Sequence, residues 1–269
     1  MSDLTILPIK PLKNENKIDV HPNFFDVNGG ACVLDCSPPR SGKTVRISNY
    51  FLNPNFLADK LDAVYVYSST LANGDESGRY MLDRYGDTIY AEYSDSHLKS
   101  IIDFQDSIPK HERPNIAIIF DDFIGFDKIK KNSYCFRLSS EYRHHNIKLL
   151  LYSCQLFRYV PSMVRQNINY AIIGQTANKK EIQKMSEELG ARYGTEKQFA
   201  KLIKEGTRGR YDFLYLDLYG KPAKAYRNFN ELIYEAPDNL NVSIDSGYNI
   251  PEGRVYESYD DGYYDDDEY

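Results

Sequence analysis

Four consecutive residues, Ser41-Gly42-Lys43-Thr44, close the stretch ACVLDCSPPRSGKT that begins at Ala31. The spacing is that of the phosphate-binding loop GxxxxGK[ST], with Ser37 standing where the first glycine would be. The chemistry follows from the order of parts. A short apolar, β-prone run delivers the chain to a turn through Ser37, Pro38, Pro39, Arg40, Ser41 and Gly42. Backbone N–H groups then point inward, and a helix over 44–52 aims its positive dipole end at the same point. Phosphate oxygens would be surrounded by donors there. Lys43 would reach the β- and γ-phosphates, and the Thr44 hydroxyl would ligate Mg²⁺. The loop therefore points to a nucleoside triphosphate. If Ser37 has to adopt a left-handed backbone, it costs roughly 1–2 kcal/mol relative to glycine.

A second constellation lies at Asp121 and Asp122, which end the apolar run IAIIFDD. Two carboxylates at the tip of a buried strand are costly unless something positive meets them. Mg²⁺, held through water by Asp121, is that partner in a phosphate-loop protein, and Asp122 is then placed to orient or deprotonate the attacking water. Asp122 is one methylene shorter than the glutamate usual at this point, so the water must lie closer to the strand or be bridged by another. Gln155 ends the run over 147–155. If that strand lies between the loop strand and the acid strand, its amide meets the γ-phosphate. Arg143 precedes the same strand, where it can protrude towards a neighbouring subunit and stabilise transition-state charge. The adjacent His144 and His145 point about 100° apart on a helix. With no further ligand evident, they make no metal site.

The elements needed to position these groups can be read from periodicity. Apolar runs over 61–69, 115–122, 147–155 and 170–175 read as buried strands, with a shorter one over 88–93. Helical patterns cover 96–106, 128–143, 161–166 and 179–189. Thr195 to Gln198 resembles a capping box that opens a helix ending near Gly206. The segment 71–84 reads as loop or short helix. Strands alternating with helices imply an α/β fold with a mostly parallel sheet. Runs over 211–219 and 223–228, joined at Gly220-Lys221-Pro222, extend it as an antiparallel hairpin.

Composition bounds the rest. A chain of 269 residues with 42% hydrophobic content is enough for one α/β domain with extensions. The expected organisation is an N-terminal arm over 1–29, a nucleotide-binding domain over 30–235 and an acidic tail over 236–269. No run of about 18 apolar residues is present, so no membrane span and no membrane partner are expected. Nor does the amino terminus show a secretory signal. Cys32, Cys36, Cys135 and Cys154 read as reduced core thiols of an intracellular protein. From Glu252 to Tyr269, eight acidic residues against Arg254 give a local charge of −7 out of a total of −6, leaving about +1 for residues 1–251. The tail composition is that of a disordered segment.

Taken in order, SPPRSGKT, IAIIFDD, YRHHNIKLLLYSCQ and VPSMVRQNINYAII give the chain a specific look. From Gly30 to Asn228 it resembles the genome-packaging ATPases of large DNA viruses and virophages, the poxvirus-type branch of the FtsK/HerA superfamily. The resemblance implies a RecA-like P-loop NTPase of the additional-strand class and a ring of five or six copies of the chain. It further implies ATP hydrolysis with Mg²⁺, translocation of double-stranded DNA into a capsid, and a capsid vertex partner, in host cytoplasm or a viral factory. By motif position it assigns phosphate binding to Lys43, magnesium to Thr44 and Asp121, water activation to Asp122 and γ-phosphate sensing to Gln155. Arg143 becomes the finger, with Arg165 its rival. Lysines at 128, 130 and 131, or at 179, 180 and 184, are available to line a DNA pore. Two other classes stay open: a nucleotide or nucleoside kinase, although no Arg-rich lid is evident, and a P-loop scaffold that does not hydrolyse.

Overall fold

The computed structural model describes residues 17–74, 76–122, 129, 133–236 and 254–255. Its strands are β1 (Ala31–Cys36), β2 (Ala63–Tyr67), β3 (Ile89–Tyr90), β4 (Ile116–Phe120), β5 (Ile147–Cys154) and β6 (Tyr170–Gly174). They continue with β7 (Phe213–Asp217), β8 (Lys224–Arg227), β9 (Glu231–Glu235) and β10 (Arg254–Val255). All join one sheet in the order β10-β9-β8-β7-β6-β1-β5-β4-β2-β3. From β6 to β3 every pairing is parallel, and from β6 outward to β10 every pairing is antiparallel. The α/β fold with a mostly parallel centre is thus as expected, and the antiparallel extension is larger than the hairpin read from the sequence.

Burial explains the parallel centre. Every residue of β1, β4 and β5 is buried, so both faces need cover, and helices between parallel strands supply it. Side chains alternate between two cores. Leu34, Ile118, Phe120, Leu150 and Tyr152 pack on one face with α4 (Asp95–Ser107), α5 (Tyr134–Glu141), α6 (Ser162–Asn167), α7 (Lys179–Leu189) and α8 (Glu196–Gly206). Val33, Ile119 and Leu151 pack on the other with Ile47, Tyr50 and Phe51 of α1 (Lys43–Leu52) and with Met81 of α3 (Arg79–Tyr85). A short helix, α2 (Ser69–Ala72), follows β2. Among the described residues no helix is long and apolar enough to cross a membrane.

Several boundaries differ from the sequence reading. Residues 17–29 were read as arm, yet Phe24, Phe25 and Val27 are buried in the α1-side core, where Phe24 stacks on Phe56. The aromatic pair is what ties this segment down. Of the helix expected over 128–143, α5 is described from Tyr134, after its N-cap Ser133, and Tyr142–His145 tightens into a 3₁₀ turn that ends in left-handed Asn146. β9 was not foreseen; Arg254 and Val255, read as tail, pair with its last two residues as β10. Residues 1–16, Lys128, Lys130, Lys131 and the rest of the acidic tail lie outside the described residues. The capping box is present in full, with Thr195 and Gln198 satisfying each other's backbone N–H groups. All four cysteines are free and buried.

Candidate nucleotide-binding site

Parallel strands end together, so the carboxyl ends of β1, β4, β5 and β6 form one edge, and the loop over 37–42 lies on it. The left-handed residues of that loop are Arg40 (φ 62) and Gly42 (φ 79), of which only Arg40 is strained by it. Ser37 is not among them, so its replacement of glycine carries no left-handed cost. Its hydroxyl instead donates to Asp35 Oδ1 at 2.6 Å and accepts from Arg46 Nη2 at 2.9 Å. Arg46, one turn into α1, grips Asp35 of β1 through Nε at 3.0 Å and Nη2 at 2.8 Å. Asp35 and Ser37 are fully buried, and Arg46 nearly so. Burial works against the guanidinium charge, but Asp35 and Tyr50 together outweigh it and raise the Arg46 pKa. The strand and the helix that bracket the loop are thereby clamped from behind.

In front of the loop the two acids are held differently, Asp121 buried and Asp122 partly exposed. Asp121 follows β4; Ser68 Oγ donates to its Oδ2 at 3.0 Å and Ser153 Oγ donates to its Oδ1 at 2.7 Å. Both carboxylate oxygens are thus aimed by hydroxyls and keep further lone pairs for other partners. Asp122 takes a left-handed backbone (φ 57) that turns its side chain back over the edge. Its Oδ1 accepts from Gln155 Nε2 at 3.0 Å and from Lys43 Nζ at 3.5 Å, and Lys43 Nζ lies 4.0 Å from Asp121. A cleft of about 290 Å³ joins these groups, lined by Pro38, Pro39, Arg40, Gly42, Lys43, Thr44, Thr70, Asp121, Asp122 and Gln155. Ser41 is buried at its margin with an Oγ that has no hydrogen-bond partner among the described residues.

The donor set fits a phosphate-bound Mg²⁺. Thr44 and Asp121 offer hard oxygens, and among the described residues no cluster of three or more His, Cys, Asp or Glu forms a self-sufficient metal cage. A magnesium ion that keeps most of its waters and takes its other ligands from the substrate phosphates needs only one or two such groups.

Of the residues singled out in the sequence, Lys43, Thr44, Asp121, Asp122 and Gln155 come together, with the loop around them. Arg143 does not join them. It lies at the opposite, amino edge of the sheet beside Gly30, exposed, with its Nε donating to Tyr142 Oη at 3.0 Å. Arg165 is held by both oxygens of Glu188, at 2.6 and 3.0 Å, on the wall of a larger cavity of about 500 Å³ that contains no loop residue. Sequence reasoning missed Ser68 and Ser153, whose strand-end hydroxyls carry no pattern of their own, and Thr70 of α2. It also missed the Asp35–Arg46 clamp, although an acid in the middle of the buried run ACVLDC is a signal that demands a partner.

No family model matches the chain, and no curated protein matches it. Solved structures do. The DNA-packaging ATPase B204 of Sulfolobus turreted icosahedral virus superposes with a TM-score of 0.52 at 18% identity, over 72% of this chain and 95% of that one. The genome-packaging NTPase B204 of Sulfolobus turreted icosahedral virus 2 in complex with AMP gives 0.51 at 18%, over 74% and 97%. Its complex with ATP-γS gives 0.50 at 16%, over the same shares. At such identities the likeness establishes the fold, a P-loop NTPase sheet. The resemblance to viral packaging ATPases read from the sequence agrees with the structures that share that fold.

Proposed function

We propose that this chain is a Mg²⁺-dependent ATPase that drives double-stranded DNA into a capsid as a ring of identical subunits. The observation that carries the reading is the convergence of Lys43, Thr44, Asp121, Asp122 and Gln155 on one cleft from three separate strand ends. The strand order adds to it, because β5 separates the loop strand β1 from the acid strand β4. Small-molecule kinases place those two strands side by side, so the order weighs against a nucleotide kinase. The chain's similarity in fold to a DNA-packaging ATPase supports DNA as a partner, and the capsid vertex rests on the sequence resemblance alone.

In this reading the N–H groups of the loop and the amino end of α1 hold the β- and γ-phosphates. Lys43 leaves Asp122 for the phosphate oxygens, which outbid a 3.5 Å contact. Thr44 and, through water, Asp121 would hold Mg²⁺, which would supply charge neutralisation to the phosphates. Released by Lys43 and still tethered by Gln155, Asp122 orients the attacking water and takes its proton. Gln155 therefore couples the γ-phosphate to the base. Arg143 stands one eight-residue strand away from Gln155, roughly 25 Å at strand rise, so it serves a neighbour's site in the ring.

The test is ATP turnover by the full chain with and without double-stranded DNA, together with light scattering for particle size. Turnover stimulated by duplex DNA in a ring-sized particle is expected. ATP binding with no turnover under any condition would leave a P-loop scaffold. Mixed rings of Lys43→Ala and Arg143→Ala subunits should recover activity that neither variant has alone, and mixed rings that stay inactive would remove Arg143 from its role.

A further inference from the structure

Tyr211 occupies a place in the site that the motifs do not describe. It precedes β7, whose first residue Phe213 pairs with Gly174 at the end of β6, so the turn over 209–212 lies on the carboxyl edge beside the phosphate loop. Asp212 fixes that turn, accepting from Gly209 N at 2.8 Å and from Asn228 Nδ2 at 3.1 Å. The Tyr211 ring rests on Gly42: a Cβ placed there would come within 3.3 Å of the ring Cδ1. The residue is nevertheless 57% exposed, and Val45, three residues beyond Gly42 in α1, is 51% exposed. The Arg210 guanidinium lies 5.2 Å from the Tyr211 ring centroid.

Sheet order gives this surface a direction. Asp121, Asp122 and Gln155 lie on the β5–β4 side of β1, and Tyr211 lies on the β6–β7 side. A triphosphate whose γ-end meets the acids must send its nucleoside towards β6 and β7. We infer that Tyr211 is the platform on which the nucleobase stacks, an inference that rests on the nucleotide reading above. The geometry suits it: an aromatic ring anchored to the loop glycine and more than half exposed to solvent, already carrying a planar guanidinium over one face. An aromatic ring under a base tolerates any base, since all present a π-face.

Two probes separate base from phosphate: ATP, and inorganic tripolyphosphate, which has the charge without the base. Both are titrated into the full chain with Mg²⁺. Tyr211→Ala should weaken ATP about tenfold and leave tripolyphosphate unchanged, with Tyr211→Phe at the parent affinity. Because the chain has no tryptophan, Tyr211→Trp installs one fluorophore, which ATP should quench and tripolyphosphate should not. Parental ATP affinity in Tyr211→Ala overturns the platform. So does equal weakening of both probes, which would mean that the ring acts only by propping Gly42. If the parent chain binds tripolyphosphate and ATP equally well, the phosphate site stands and the base site falls. Binding of neither probe would fell the nucleotide reading itself.

Discussion

Two clusters of charge flank the same loop, one behind it and one in front, and they are built to different tolerances. Behind, Asp35, Arg46 and Ser37 are sealed from water and joined by contacts between 2.6 and 3.0 Å that use both carboxylate oxygens and the hydroxyl. In front, Lys43 stands 3.5 Å from Asp122 and 4.0 Å from Asp121, and Asp122 is partly open to solvent. A buried pair with every partner in place resists change, because loss of either member strands a charge. A loosely held lysine at a cleft mouth costs little to detach. The first cluster fixes the geometry of the loop, and the second is free to exchange its internal partners for phosphate and metal.

Crossing the two clusters gives the largest effects. Arg46→Ala leaves Asp35 buried without its partner and should lower stability by about 3–5 kcal/mol, a melting-temperature loss on the order of 10 °C. Lys43→Ala should abolish turnover while the melting temperature stays near the parent value. Thermal denaturation and ATPase rates on both variants check the contrast. If Lys43→Ala melts as early as Arg46→Ala, the front cluster is structural too and the distinction collapses.

Within the front cluster the two acids should divide. Asp121 is pinned by Ser68 and Ser153, whereas Asp122 is held by the two groups that would also meet the γ-phosphate, Lys43 and Gln155. Asp121→Asn should weaken Mg²⁺-dependent ATP binding. Asp122→Asn should bind ATP as the parent does and turn it over roughly 10²–10⁴ times more slowly, the usual span for loss of a general base. Single-turnover rates beside equilibrium binding separate the two, and parental turnover in Asp122→Asn would assign the base elsewhere.

The front cluster was legible in the sequence because its chemistry requires residue types at fixed offsets: a lysine before a threonine, acids at the end of an apolar strand, an amide at the end of the next. The parallel centre was legible for a related reason, since IAIIF and IKLLLYSC are too continuously apolar for a half-exposed sheet. The back cluster was not, because its members are set by who faces whom across β1 and α1, which depends on helix phase and strand register. β9 escaped too: Leu232, Ile233 and Tyr234 are a short run between two acids, and only pairing with β8 makes them a strand. Arg143 and Gln155 flank the same strand, and the strand itself carries them to opposite edges of the sheet.

Ser37 tests the comparison at its finest point, since it belongs to the back cluster while occupying a position of the front motif. Restoring the motif with Ser37→Gly removes one hydrogen bond to Asp35 and one from Arg46, both to charged groups. It also frees a backbone that has no need of left-handed space. The expected outcome is a loss of about 2 kcal/mol in urea denaturation, with ATP affinity within about threefold of the parent. Ser37→Ala should lose slightly less, because alanine forfeits the same hydroxyl without the added freedom of the unfolded chain. Gly174 helps decide the case, for a side chain there would come within 2.8 Å of Ser37 Oγ; the β6 end is shaped around this serine. A gain in both stability and affinity on Ser37→Gly would mean that the serine is a defect in the loop, and the scaffold reading would rise with it. A loss confined to stability would make the serine part of the clamp, present because a loop without its first glycine is fastened from behind.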